Sequence, residues 1–455
     1  MRTLALFFIT AAAAIPASAQ EADSQSRREP KPQVTYSLLE DAKPQAGVPK
    51  GQLDGPHLYR SEIIEDTTRK YWVYVPQQYN ADDPANVLVF QDGARAINPE
   101  GVLRVPQVLD NLIAKKQIPV TIGIFITPGH RGEEFPDSIG TGNPNNRDRE
   151  YDVLDDKYAR FLIEELLPEV GKKYNLSSDP ADRAIGGSSS GAICGFTVAW
   201  HRPDQFRNVL SMIGSYTNIH GGHVYPDLVA ESEKKPIRIF IQDGINDLRN
   251  PADPKRDWFL QNQKMVAALR GKGYDMVHVF GKGGHSDDHG GAMLPLMLRW
   301  IWRDHPEVEI KPVADLVAEA AAIEPQQVEL FPGFDVEAQA DPSGTYRWDV
   351  RFGGRTATYT LQVKRDGKLL AGTLDIARGE GETQTVPIED PVMVGNKLIF
   401  DATTTFRGRE MSSSYHGVVT EKGLRGWQVA GVSGDSRDSR WQARRVTEDA
   451  TSDQK

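Results

Sequence analysis

A single cysteine, Cys194, stands in a chain of 455 residues. No intramolecular disulfide can form, so the chain must be held together by packing and hydrogen bonds. Runs rich in Lys or Arg are missing too: 53 basic residues against 63 acidic ones leave a formal charge of −10. An acidic chain without a basic stripe is poorly suited to nucleic acid, and no such partner is expected. Beyond residue 20 no apolar run reaches the ~20 residues that a membrane-spanning helix needs, so stable membrane insertion is not expected. With 39% apolar and 25% charged residues, the composition is that of a folded globular protein.

The length predicts more than one folded domain. The first residues, MRTLALFFITAAAAIPASAQ, place one cation before a short apolar run and end on Ala17-Ser18-Ala19, a small-residue cleavage pattern. Residues 1–19 are read as a secretory signal, which predicts an exported protein, periplasmic or secreted. Residues 20–52 are polar and carry Pro30, Pro32, Pro44 and Pro49, the texture of a tether or loosely packed arm.

From residue 53 to 308 the texture changes. NVLVF (Asn86–Phe90), VTIGIFIT (Val120–Thr127), IRIFIQDG and MVHVF are compact apolar runs of the kind found in buried central strands. They alternate with helical patterns, among them Tyr158, Phe161, Leu162, Leu166 and Val170. This predicts an α/β fold with a mostly parallel central sheet and helices on both faces. Residues 309–340 read as a connector. Residues 341–446 alternate with period two and are punctuated by turn pairs such as Asp366-Gly367 and Gly395-Asn396. A small antiparallel all-β domain, barrel or sandwich, is expected there. Residues 447–455 form a polar tail, expected to be frayed.

The stretch RAIGGSSSGAICG (Arg183–Gly195) decides the chemistry. Gly187-Ser188-Ser189-Ser190-Gly191 fits G-x-S-x-G in only one frame, with Ser189 central. A Gly/Ser linker would look similar, but these serines lie inside a domain, between an apolar strand and an apolar helix. Strand–turn–helix is the context in which that motif exposes a nucleophilic serine. The backbone N–H of Ser190 then points at a developing oxyanion. Cys194, within the following helix, is read as a buried inert thiol.

A serine nucleophile needs a base, and the base an acid, in the chain order Ser, Asp or Glu, His. Asp247 lies four residues beyond Asp243 in the loop that ends IRIFIQDG, and it has the reach to meet a histidine. Asp243, at the strand end, is better placed to cap the loop. His285 follows two glycines after the last strand and is preferred over His289, which opens the next helix; His278 lies within a strand. A His285–His289 metal pair would need a helix across glycines and lacks the Glu of H-E-x-x-H, so no metal is expected. The second oxyanion donor is expected in the loop after NVLVF, at Gly93 or Ala94.

With these residues assembled, the region from Tyr71 to Trp302 resembles the putative esterase family of the α/β-hydrolase superfamily, which includes enterochelin and feruloyl esterases. The resemblance rests on YWVYVPQQY leading into VLVFQDG, on RDREY (Arg147–Tyr151), on GGSSSG, and on QDGIND and GGHSDDHGG. It implies Ser189 as nucleophile, Asp247 as acid and His285 as base. It also implies that Arg149, together with Asp92, contacts substrate and that Glu150 pins its loop, unless RDREY is a surface ion-pair cluster. Where many members have a bulky residue and paired glycines after the serine, this chain has Ser190, Gly191 and Ala192.

The expected protein is thus an exported serine carboxylic-ester hydrolase without metal or organic cofactor. Its substrate would be a small-molecule or polysaccharide-linked ester. The competing readings are an acyltransferase using the same triad and a non-catalytic binding protein whose β domain binds polysaccharide through Trp348, Trp427 and Trp441.

Overall fold

The structure is a computed structural model. It describes residues 34–446 except 133, 138, 140–143, 250–252, 309–310, 328–330, 353–354, 380–382, 407–408 and 433–434. The signal-like segment 1–19, the start of the polar arm and the tail 447–455 lie outside the described residues. The chain divides into two compact units, Gln33–Val328 and a C-terminal one from Glu329 onward.

In the first unit the strands are β1 (Val34–Tyr36), β2 (Gln52–Ser61), β3 (Thr67–Val75), β4 (Asn86–Gln91), β5 (Thr121–Ile126), β6 (His130–Arg131), β7 (Arg183–Ser188), β8 (Asn208–Met212), β9 (Arg238–Gly244), β10 (Asp275–Gly281) and β11 (Pro325–Gln327). The main sheet runs β10-β9-β8-β7-β4-β5-β3-β2, with β6 paired to β3. Neighbours from β10 to β5 are parallel, whereas β3 is antiparallel to both β5 and β2. The apolar runs are continuous because alternate residues feed two cores. Val87 and Val89 enter one core, and Leu88 and Phe90 enter the other.

The first core is covered by α2 (Ser190–His201) and α3 (Trp258–Gly271), the second by α1 (Val105–Ala114) and α4 (Asp288–Ile301). Pro106 falls in the first turn of α1, where its missing N–H costs nothing. The helical pattern expected across 152–174 forms over Lys157–Gly171, with a π-helical stretch at Phe161–Leu166. Among its described residues the connector holds a helix, α5 (Val313–Ala321). Among the described residues no helix is long and apolar enough to cross a membrane.

The expected loose arm is packed from residue 34 onward. β1 pairs antiparallel with β11. Asp41 pairs with Lys115 and Arg299, and the Asn111 amide donates to the carbonyls of Asp41 and Lys43, each at 2.9 Å. The Tyr36 ring stacks on His289 at 4.2 Å, and its hydroxyl accepts the backbone N–H groups of Lys282 (2.8 Å) and Gly283 (3.1 Å). Composition concealed this docking because polar residues here satisfy buried backbone rather than water.

The second unit is an antiparallel sheet of β12 (Gly344–Phe352), β13 (Arg355–Asp366), β14 (Leu369–Arg378), β15 (Thr383–Pro387), β16 (Glu389–Val394), β17 (Lys397–Phe406), β18 (Arg409–Thr420), β19 (Gly423–Val432) and β20 (Asp435–Val446). β12 joins β20 at the middle of the order, and the two outermost strands, β15 and β16, are joined through Ile388. β15 lies against β17 and β14 against β16, so the two ends of the sheet meet and it curls into a nearly closed barrel. Trp348 and Trp441 lie 5.0 Å apart in its interior cluster, and Trp427, 2% exposed, accepts the Trp441 indole N–H at its carbonyl. The tryptophans that a polysaccharide-binding surface would have used are buried.

Replacing Tyr36 by Phe leaves two backbone donors of the loop before His285 without their acceptor. A loss of about 1–3 kcal/mol in unfolding free energy is expected, measured by chemical denaturation; an unchanged midpoint would mean that the hydroxyl holds nothing.

Candidate active site

The site lies where the sheet order reverses. The chain leaves β4 toward β5 on one side and returns to β7 on the other, so the loops after β4 and β7 diverge above adjacent strand ends. Such a crevice is where open α/β sheets hold ligands. Asp92 follows β4 there and Ser189 follows β7.

Ser189 connects β7 to α2 with φ 60° and ψ −121°, a conformation that non-glycine residues rarely adopt. Strain of this kind costs on the order of 1–3 kcal/mol and persists only where surrounding contacts enforce it. The Ser189 N–H donates to the Met212 carbonyl (2.9 Å), and its own carbonyl accepts the Ser215 N–H (3.1 Å). The flanking glycines are required by packing: a Cβ on Gly191 would sit 2.9 Å from Gln91 Cβ, and one on Gly187 3.0 Å from the same atom.

Ser189 Oγ lies 2.9 Å from His285 Nε2, and His285 Nδ1 lies 2.6 Å from Asp247 Oδ1. The loops that carry the acid and the histidine are stitched together by backbone. The N–H of Ile245 donates to the Gly281 carbonyl and that of Asn246 to the Gly283 carbonyl. Gly244 permits this approach, since a Cβ there would stand 2.2 Å from Gly283 O. Asp247 is 1% exposed, and Trp258 packs edge-on to the His285 ring at 5.7 Å. A hydroxyl, an imidazole and a buried carboxylate in this order can pass a proton from serine to histidine.

Ser215 extends the chain. Its Oγ accepts the Trp258 indole N–H at 3.0 Å and lies 3.0 Å from Ser189 Oγ. Either hydroxyl can donate in this contact; with the Ser189 proton directed to His285, it is Ser215 that donates to Ser189 Oγ. Nothing in the spacing of the sequence marked Ser215 or Trp258; both arrive through strand order and helix packing.

Ser190 opens α2, and Gly93 and Ala94 open a one-turn helix, Gly93–Ala96. The first N–H groups of such turns have no partner within the turn. The Asp92 carboxylate is gripped by Arg147, with Nε 2.9 Å from Oδ1 and Nη2 2.7 Å from Oδ2, and Arg95 adds a contact at 3.3 Å. Burial works to raise the Asp92 carboxyl, but the charge and hydrogen bonds of Arg147, with Arg95, hold it below its ordinary value. Asp92 therefore fixes the loop after β4, with its carboxylate committed to arginine rather than turned to substrate.

Within RDREY the two arginines differ in placement. Arg149 is exposed on the short helix Arg147–Tyr151, and Arg147 takes the inward position. Two residues along a helix is a rotation of about 200°, so only one of the two arginines can face the site. Glu150 is buried; it accepts the Gly129 N–H and pairs with the buried Arg69, which pins the loop after β5. His289 sits beneath Tyr36 with Nδ1 3.3 Å from the Gln242 amide. Burial lowers it to about 4, so it is neutral near pH 7. Among the described residues there is no cluster of three or more His, Cys, Asp or Glu placed to hold a metal ion.

This arrangement defines an α/β-hydrolase fold with a hydrogen-bonded Ser–His–Asp chain at its switch point. The chain belongs to the Putative esterase family, whose profile matches residues 61–301. An uncharacterized Bacillus subtilis protein, YbbA, is 20% identical over 209 residues, which span 45% of this chain and 80% of its own. Among solved structures, the enterobactin esterase of Shigella flexneri is 22% identical, over 59% of this chain and 64% of its own, with a TM-score of 0.45. A ferulic acid esterase of Anaeromyces mucronatus is 19% identical, over 59% of this chain and 97% of its own, with a TM-score of 0.45. The chain spans less than two thirds of the length of the enterobactin esterases it matches.

Asp152, 1% exposed, lies beside Ser190 and Arg147, with Asp148 and His220 also near. Burial raises its carboxyl to about 7, more than Ser190, Arg147 and His220 lower it. A carboxyl raised in the folded state costs no stability below its unfolded value, about 4. Above that the unfolded chain ionises first, and stability is lost as pH climbs toward 7. Asp152→Asn should therefore be more stable than wild type at pH 8, by up to ~2–4 kcal/mol, with the difference closing near pH 4. Melting temperatures across that range check the sign.

Proposed function

We propose that the protein is an exported serine carboxylic-ester hydrolase that works through an acyl-enzyme. The observation that carries this reading is the chain Ser189 Oγ–His285 Nε2–Asp247 at 2.9 and 2.6 Å, with Ser189 held in a strained strand-to-helix turn. Membership of an esterase family supports it, and the export signal read in residues 1–19 supports the location.

In the first half-reaction Ser189 Oγ attacks the ester carbonyl while its proton passes to His285 Nε2. Asp247 fixes the tautomer with a proton on Nδ1 and stabilises the imidazolium that forms. The carbonyl oxygen, now an anion, is received by the N–H of Ser190 and a donor from Gly93 or Ala94. Collapse of the tetrahedral adduct breaks the bond to the alcohol oxygen, which leaves with the proton from His285. Water, deprotonated by His285, then attacks the acyl-serine and releases the acid. The Ser215 hydroxyl, fixed by Trp258, donates to Ser189 Oγ and holds its lone pair toward the carbonyl.

A fluorophosphonate should modify purified protein stoichiometrically, with the adduct on the peptide containing Ser189. No adduct in a folded protein would overturn the reading. Ser189→Ala should cost on the order of 10⁶ in kcat on any ester that the wild type hydrolyses.

Ser215→Ala removes one hydrogen bond to the nucleophile and should lower kcat by about tenfold, the worth of one such bond, with KM little changed. Steady-state kinetics separates the two parameters.

A further inference from the structure

Two carboxyl groups, not one, lie beneath His285. Asp243 is the penultimate residue of β9 and Asp247 follows in the loop, its N–H donating to the Gly244 carbonyl at 3.0 Å; the two residues are 0% and 1% exposed and lie near enough for the charge of one to act on the other. Asp247 Oδ1 accepts the His285 ring at 2.6 Å and the Leu248 N–H at 2.5 Å. Asp243 Oδ1 accepts the Gly244 N–H at 2.7 Å. Among the described residues, Asp243 Oδ2 and Asp247 Oδ2 are both buried without a hydrogen-bond donor. A buried acceptor left bare is costly, and two facing carboxylates cannot both remain ionised out of water. One proton between the two Oδ2 atoms removes both penalties.

We propose that Asp243 holds a proton in the resting protein and donates it from Oδ2 to Oδ2 of Asp247, which makes it a positioning residue for the Asp247–His285 pair. The proton belongs on Asp243 because Asp247 is the carboxyl that faces His285, where negative charge is stabilised by the imidazole N–H and, during turnover, by the imidazolium. Burial and the neighbouring Asp247 charge both push the Asp243 carboxyl well above its ordinary value. Asn262 also lies beside Asp243 and works to lower its carboxyl, less than burial and Asp247 raise it; its amide nitrogen donates to the carbonyls of Gly214 and Trp258, and its Oδ1, buried without a donor, is the competing acceptor. The carboxylate of Asp247, paired with the His285 ring, is the stronger acceptor. Asp247 and, through it, His285 are the titratable groups that face Asp243.

The arrangement gives Asp247 two anchors. His285 and Leu248 hold Oδ1 while Asp243 holds Oδ2, so the carboxylate plane stays fixed as the histidine gains and loses its proton. The role assigned to Asp243 rests on the triad reading above; its protonation does not.

The test is an infrared difference spectrum at neutral pH between wild type and Asp243→Asn, with kcat/KM measured against pH for both and for Asp243→Ala. A protonated-carboxyl stretch present in wild type and lost in Asp243→Asn is expected, and the same band should appear in a Ser189→Ala background where no turnover occurs. Asp243→Asn keeps a donor and should lose only a few-fold in kcat with the acid-side midpoint unmoved. Asp243→Ala, which strips the donor, should lose about tenfold to a hundredfold.

A wild-type spectrum with no protonated-carboxyl band that Asp243→Asn removes overturns the proposal, since Asp152 contributes to both spectra. So does an acid-side midpoint that falls by roughly one pH unit in Asp243→Asn, the response to removing an ionised neighbour of histidine. Failure of the triad reading shows separately, as a folded wild type with no ester hydrolysis and no fluorophosphonate adduct, whatever the infrared band does.

Discussion

The first unit is organised around one backbone conformation, the turn that carries Ser189 at positive φ between β7 and α2. A residue with a Cβ held there is strained, and the fold supplies what keeps it in place. β8 contributes the Met212 carbonyl, the chain beyond β8 contributes the Ser215 N–H, and the glycines on either side let the turn close over Gln91. Nearly every group of the site is referred to this turn. The Ser190 N–H points where it does because α2 begins there, and Ser215 reaches Ser189 Oγ because its own backbone is tied to Ser189.

Around that turn the loops are fixed by paired backbone and buried charge rather than by bulk. The acid loop after β9 and the histidine loop after β10 share hydrogen bonds through Ile245 and Asn246, and Tyr36 accepts two N–H groups of the histidine loop from the far side. The loop after β4 is held through Asp92 and Arg147, and the loop after β5 through Glu150 and Arg69. Each device pairs a charge or a backbone donor that water would otherwise have satisfied. The Asp243–Asp247 pair follows the same logic with a proton as the counter-charge.

Much of this was legible in the chain itself. Apolar runs without alternation could only be strands buried on both faces, and the G-x-S-x-G frame between strand and helix singled out Ser189. Chain order then led to Asp247 and His285, because each had to lie just past a strand end. Other features were not legible. Arg147 and Arg149 are equivalent in composition, and only the helical rotation of the short segment turns one inward. The polar residues near Asp41 resembled a tether because their partners, Lys115 and Arg299, lie far along the chain. Trp348, Trp427 and Trp441 were as consistent with an exposed binding face as with buried positions; in the folded sheet Trp348 and Trp441 lie inside the curl and Trp427 is buried as well.

The sequence by itself determined the two architectures, the position of the strained serine and the order of the groups downstream, because these follow from local periodicity, glycine placement and the distance to strand ends. Only the tertiary structure decided which groups touch. Ser215 and Trp258 reach Ser189, Arg147 locks Asp92, Tyr36 braces the histidine loop and Asp243 faces Asp247, because those contacts join segments whose separation along the chain carries no signal of their meeting.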